Sequence, residues 1–330
     1  MISSALLRTG GLEKFQPVYG PNWNTGRAGL FCVVIMKKTL TCDDLIAGYY
    51  TLAGSCAGAG EGEPAKASFY ERVEAAAAEG FSGIGLLSDD YISCKEKGLS
   101  DTEMCRILDD HGIQVAEIEF LYHWMCEDDR LKYAQLLEKR LFSMADVFSP
   151  HHINVGDVNP AGELKPLEVV AEKFAGVCDR AAEHGLMVAL EFLPWTDIPD
   201  AATAWEVIRM AGRSNGGLNL DVWHHYRGAK DTAMIQAIPS DRIFSVAISD
   251  ADEEIVGDLI EDTTRYRRLP GEGSFDLENF IRLIDKMGVL APISVEILSY
   301  EQNALSTTEA ARRAYKTTRN VLDRARSSLS

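Results

Sequence analysis

LMVALE at 186–191, GLNLD at 217–221 and PISVE at 292–296 are short apolar runs that each end in an acid: Glu191, Asp221 and Glu296. Runs of this length, bounded by polar segments, read as buried strands. Carboxylates that leave the same ends of several parallel strands converge on one centre. Held together there, they need a cation or a shared proton to offset their repulsion. The pattern points to a metal-assisted centre at the mouth of a barrel.

Five further strand candidates precede or separate these runs: GYYTLAG at 48–54, FSGIGLL at 81–87, QVAEIEFL at 114–121, HINV at 152–155 and IFSVAI at 243–248. Between them lie longer stretches with apolar residues at three- and four-residue spacing, such as FYERVEAAAAEG and LENFIRLIDKMG, as amphipathic helices require. Gly80, Gly112, Gly185 and Gly288 each stand between such a helix and the next strand, where a left-handed cap turns the chain back. Alternating strands and helices make parallel sheets, and eight units close an α/β (β/α)8 TIM barrel. We assign this barrel to residues 45–330 as a single domain. Residues 1–44 match no unit of the repeat and read as an N-terminal extension: a tail, a partner-binding arm, or sequence upstream of a start at Met36. The long polar segment 249–275 follows the seventh strand, on the face where barrels place their chemistry, and is expected to act as a lid or specificity loop.

Composition narrows the function classes. The 330 residues are 46% hydrophobic and 25% charged, and the formal charge of −17 argues against a nucleic-acid partner. The apolar run GLFCVVIM at 29–36 is too short to span a bilayer and lacks the flanks of a secretory leader. No membrane association is expected. Seven cysteines without a repeated spacing form neither a disulfide framework nor a zinc-knuckle set, so a reducing cytoplasm is the expected location.

The neighbours of the three acids complete the candidate site. His224, three residues past Asp221, is placed to join a metal shell or hold a substrate hydroxyl, in preference to His225. Trp195 and Asp197 occupy the loop after Glu191. Glu117 and Glu119 are in phase on the third strand, with Glu119 nearer the mouth as a substrate contact. Two inward acids need pairing, and an Arg in a layer below is the expected partner of one. Trp124 and Trp195 offer apolar walls to a sugar face. Two glutamates and an aspartate suit Mn²⁺ or Mg²⁺ and do not exclude Zn²⁺.

The strand ends ALEF, NLDVWH and SVEI, together with LPGEGSFDLENFIRLIDKMG, resemble the xylose-isomerase-like TIM-barrel superfamily over about residues 47–325. Within it they resemble the sugar phosphate isomerase/epimerase group, which also contains inosose dehydratases, ketose 3-epimerases and dehydroshikimate dehydratases. The resemblance implies a divalent metal held by two Glu, one Asp and usually a His, with the two Glu moving protons. Glu191, Asp221 and Glu296 then match three ligands, with Glu191 and Glu296 as the catalytic pair. His224 and Asp197 match substrate contacts, and Arg267 resembles the group's substrate-binding Arg. The usual His-x-x-Asp of strand seven reads here Ala247-Ile248-Ser249-Asp250, without a coordinating atom at its first position. That departure leaves three outcomes: a three-residue site completed by water or substrate, recruitment of His224 or Asp250, or loss of metal activity.

Two chemistries share the same first step. An isomerase or epimerase would pass a keto-sugar through an enediolate, whereas a lyase would expel a β-hydroxyl from a keto-cyclitol or keto-glycoside. A third reading is a non-catalytic carbohydrate-binding partner subunit with a degenerate metal site. The expected ligand is a small carbohydrate or cyclitol. Association as a homo-oligomer or partner subunit stays open.

Overall fold

Eight parallel strands pair in sequence order and close on themselves: β1 (Leu45–Ala47), β2 (Gly83–Leu87), β3 (Gln114–Leu121), β4 (His152–Gly156), β5 (Met187–Glu191), β6 (Gly216–Asp221), β7 (Ile243–Ile248) and β8 (Ile293–Val295). The computed structural model describes residues 38–56, 64–159, 161–162 and 165–327. Most of the extension 1–44 lies outside the described residues. β1 pairs with both β2 and β8, so the barrel has no open edge, and the (β/α)8 architecture read from the sequence stands.

The helices around it are α1 (Tyr49–Ala53), α2 (Phe69–Glu79), α3 (Ser88–Glu96), α4 (Asp101–His111), α5 (Asp129–Phe148), α6 (Leu167–Ala182), α7 (Ala201–Ala211), α8 (Val222–Arg227), α9 (Thr232–Gln236), α10 (Leu259–Arg265), α11 (Leu277–Met287), α12 (Tyr300–Asn303) and α13 (Thr307–Ser327). Ser68 with Glu71 and Ser100 with Glu103 form reciprocal capping boxes at the starts of α2 and α4. Gly80, Gly112 and Gly288 end α2, α4 and α11 in the left-handed conformation, as expected. Gly185 takes the same conformation two residues beyond the cap of α6.

The first strand differs from the sequence reading. GYYTLAG at 48–54 is not a strand: Tyr49–Ala53 is helical, and the strand is the preceding Leu-Ile-Ala. The cause is a tie to β8. Gly48 N–H donates to Val295 O at 3.0 Å, and Thr51 Oγ1 donates to the same carbonyl at 2.7 Å. Ile297 N–H in turn donates to Thr51 Oγ1 at 2.9 Å. A Cβ at residue 48 would stand 3.0 Å from Val295 O, so glycine lets the chain turn here at van der Waals range. The two tyrosines are thereby carried over the mouth of the barrel.

Inside the barrel, below the mouth, the Arg expected to answer one of the inward acids is replaced by neutral partners. Glu117 accepts from Ser294 Oγ at 2.7 Å and faces His152 Nε2 at 3.8 Å. Burial pushes the Glu117 carboxyl up to about 8 and the His152 imidazole down to about 3. Both are therefore neutral near pH 7, which removes the cost of an unpaired charge.

Segment 249–275 is fastened at several points. Asp250 is fully buried, and its carboxylate accepts backbone N–H groups from Ala251, Gly271, Gly273 and Phe275. Asp250 and Arg268 exchange backbone hydrogen bonds, and Arg227 Nε donates to buried Asp262 at 2.8 Å. At the opposite end of the fold, Arg326 bonds to Asp43 Oδ1 and Cys42 O, and Arg319 bonds to Asp43 O. No helix of the described residues is long and apolar enough to cross a membrane.

Candidate active site

β6 ends at Asp221, and the next residue begins α8. Asp221 Oδ1 caps that helix, accepting from Trp223 N–H at 2.6 Å and His224 N–H at 3.1 Å. The cap does more than start a helix. It folds the chain back by one turn, so that His224 Nε2 lies 3.7 Å from Asp221 Oδ2 and 3.4 Å from Glu191 Oε1. Trp195 stands edge-on to the His224 ring at 5.6 Å. His225, on the other side of α8, packs toward Tyr226 and Phe280.

Glu191, Asp221 and His224 are all buried, and one ligand atom from each falls within 4.8 Å of the others. Two anionic oxygen donors and an imidazole are a donor set for a divalent ion. The spacing fits as well, because 3.4 and 3.7 Å are long for hydrogen bonds and natural for atoms that share a cation. Burial pushes the imidazole down to about 4, against the pull of Asp221, so its nitrogen lone pair is free. Its Nδ1 is buried without a hydrogen-bond partner.

Glu296 follows β8 directly and is turned another way. Its Oε2 accepts from Arg267 Nη1 at 3.0 Å, and the same Nη1 reaches Asp221 Oδ2 at 3.0 Å. Arg267 is itself locked: Nε and Nη2 donate to Thr263, and the guanidinium lies over the Trp223 ring at 5.4 Å. Opposite Asp221 in the β6–β7 register stands Ala247, whose methyl takes the place of a donor side chain. Burial raises Glu191 to about 8, with Asp221 adding to the rise. Burial also raises Glu296 to about 7, with Arg267 pulling down and Glu191 and Asp221 pushing up. Burial opposes ionisation of Asp221 too, but Arg267 and His224 outweigh it and hold that carboxyl below its usual range.

The remaining expected residues fall around this group. Glu119 is buried at the upper part of β3, paired in register with Leu87, and burial with nearby Glu296 pushes its carboxyl far up. Trp124 forms a wall of the rim, its Nε1 donating to Gly156 O at 2.9 Å. Asp197 accepts from Gly162 N–H and lines a neighbouring cleft of about 320 Å³ with Asp157, Asn159 and Lys165. Asp250, a suggested substitute ligand, is consumed by its four backbone donors. Tyr50 escaped the sequence reading: it feels the charges of both Glu119 and Glu296 and stands at the same mouth. The adjacent tyrosines after a short apolar run were its only signal, and a strand assignment hid it.

A closed eight-stranded barrel with a buried acid–histidine triad at its C-terminal mouth defines a class of metal-binding barrel. The profile of the family described as xylose isomerase-like TIM barrel matches residues 73–322, and the chain belongs to that family. It is 27% identical over 231 residues to a 3-dehydroshikimate dehydratase of Pseudomonas aeruginosa, covering 69% of this chain and 36% of that one. It is 30% identical over 146 residues to an inosose isomerase of Halalkalibacterium halodurans, covering 44% of this chain and 51% of that one. The chain thus spans about a third to a half of these relatives. Among solved structures it resembles the IOLI protein with a bound zinc atom, at a TM-score of 0.75 and 20% identity, over 86% of this chain and 99% of that one.

Proposed function

We propose that this barrel is a divalent-metal-dependent enzyme that removes and returns a proton beside the carbonyl of a keto-sugar or keto-cyclitol, acting as an isomerase or epimerase. The observation that carries the reading is the gathering of Glu191, Asp221 and a neutral His224 beside Glu296, a carboxyl poised near pH 7. Glu191, Asp221 and His224 would hold the ion, with Mn²⁺ or Mg²⁺ favoured by the oxygen donors and Zn²⁺ compatible with the imidazole. When bound, such an ion polarises a carbonyl and stabilises the negative charge left by proton removal.

The chain's own residues do the rest. Glu296 is the more exposed of the two glutamates, 16% against 9% for the Glu191 side chain, and is placed to take the proton from the carbon. In an isomerisation the C–H electron pair becomes the enediolate double bond. The proton is then returned to the neighbouring carbon, or to the opposite face of the same carbon, by Glu296 or Glu191. Trp195 steadies the His224 ring, and Glu119, Tyr50 and Asp197 offer polar contacts to substrate hydroxyls.

A second reading is favoured by the match to 3-dehydroshikimate dehydratases over 69% of the chain. Here the same proton removal is followed by departure of a β-hydroxyl as water. Incubation in D₂O with Mn²⁺, Mg²⁺ or Zn²⁺ and a panel of ketoses, keto-cyclitols and 3-dehydroshikimate tests both. Deuterium in a product of unchanged composition supports isomerisation, and loss of one water with an ultraviolet-absorbing product supports the lyase. Carbohydrate binding without exchange under any metal would sink both and favour a partner subunit.

A further inference from the structure

The site has a cation of its own, and its position divides the acids into two sets. Arg267 is 3% exposed, fixed on one edge by Thr263 and stacked over Trp223. Its backbone N–H donates to Leu298 O, which ties it to the chain just beyond β8. From this anchorage Nη1 reaches Asp221 and Glu296 at 3.0 Å each. A His at position 247 would compete for the space beside Asp221, whereas the Ala247 methyl leaves the guanidinium in possession of it. Glu191, Asp221 and His224 come together on the other side, and Glu296 is not in that group.

From this geometry we infer that Arg267 withholds Glu296 from the metal, so that the ion is bound by Glu191, Asp221 and His224 alone and Glu296 serves only in proton transfer. The inference rests on the metal-dependent reading above and goes beyond it by separating the two roles. The physical reason is competition for one carboxylate. A guanidinium already desolvated, and hydrogen-bonded on both edges, gives up its ion pair only at the cost of leaving its own charge buried. A carboxylate freed from a metal keeps its basicity, because a directly bound divalent ion would depress it far more than a neighbouring Arg does. Arg267 is thus a positioning residue, acting on substrate through Glu296.

Metal affinity separates the outcomes without reference to turnover. Mn²⁺ binding by calorimetry, and the visible spectrum of the Co²⁺-loaded protein, would be compared for the intact chain, Glu296→Gln, Glu191→Gln and Arg267→Lys. Glu296→Gln is expected to bind Mn²⁺ within tenfold of the parent and to leave the Co²⁺ spectrum unchanged. Glu191→Gln should lose at least a hundredfold. Arg267→Lys keeps the charge and shortens the fork, so it too should retain the ion. A loss of tenfold or more in Glu296→Gln, or a changed Co²⁺ spectrum, overturns the division. Failure of the parent itself to bind any ion overturns the metal-dependent reading and this inference with it.

Discussion

Asp221 shows how much one buried carboxylate can be asked to do: one oxygen caps α8 and the other faces Arg267 and His224. Asp221→Asn keeps an acceptor for the cap but removes charge from a buried pair. Such losses cost about 3–5 kcal/mol, here toward the lower figure because Glu296 still answers Arg267. Urea unfolding of the metal-free protein checks this, and a cost below about 1 kcal/mol would count against the ion pair. Glu117 yields a pH prediction. Its folded value of about 8 lies above its ordinary 4.5, so its contribution is complete below about 4.5 and is lost as pH rises through about 8. His152 works oppositely, its contribution being present above 6.5 and lost as pH falls toward about 3. Between pH 6.5 and 8 the glutamate therefore dominates this pair, and Glu117→Gln should flatten the fall in stability by up to about 1.4 kcal/mol per pH unit. An identical slope in parent and variant would refute it. Glu191, Asp221 and His224 were legible because each sits at or just past an apolar run. The partner of Glu117 was not, because Ser294 lies 177 residues away and no local pattern announces it.

Elements with a long periodic pattern or a capping signature were readable, and the shortest were not. β1 has three residues, too few for alternation to register, while the aromatic run after it imitates a strand. Val222 was drawn into the sixth strand because the Asp221 cap starts a helix with no intervening loop. α3, with its mixed SDDYISCKE, offers no apolar stripe and was missed. Segment 249–275 illustrates the remaining limit: its polar composition suggests a mobile lid, yet Asp250 gathers four backbone donors from three turns of chain. Asp250→Ala leaves those N–H groups without their acceptor, at about 1–3 kcal/mol for each that stays buried. The expected result is a loss of at least about 3 kcal/mol by denaturant titration, with new proteolytic cleavage between 251 and 275. Resistance to protease and unchanged stability would show that the loop is held by other contacts. Removing the Ser100 cap of α4 should cost only about 1 kcal/mol.

At the scale of the molecule, the barrel accounts for its own closure: β1 meets β8, and the unit built from Leu40 onward has its own core. We assign residues 45–330 to the catalytic barrel and 1–44 to an appended arm. A chain begun at Met36 is accordingly expected to melt within about 4 °C of the full one, a shift worth about 1 kcal/mol at this size. A fall beyond about 10 °C would make the arm part of the fold. The ties from Arg319 and Arg326 to Cys42 and Asp43 have a wider meaning. They bring the first and last βα units together as neighbours, so the barrel is a ring in which no unit is first except by the accident of where synthesis begins. A circular permutant, with those ends joined by a short linker and new ends opened in the exposed turn at 183–185, would make its units in a different temporal order. Every side chain of the triad leaves the opposite end of its strand, so such a rearranged chain should rebuild the same metal centre after a different folding history.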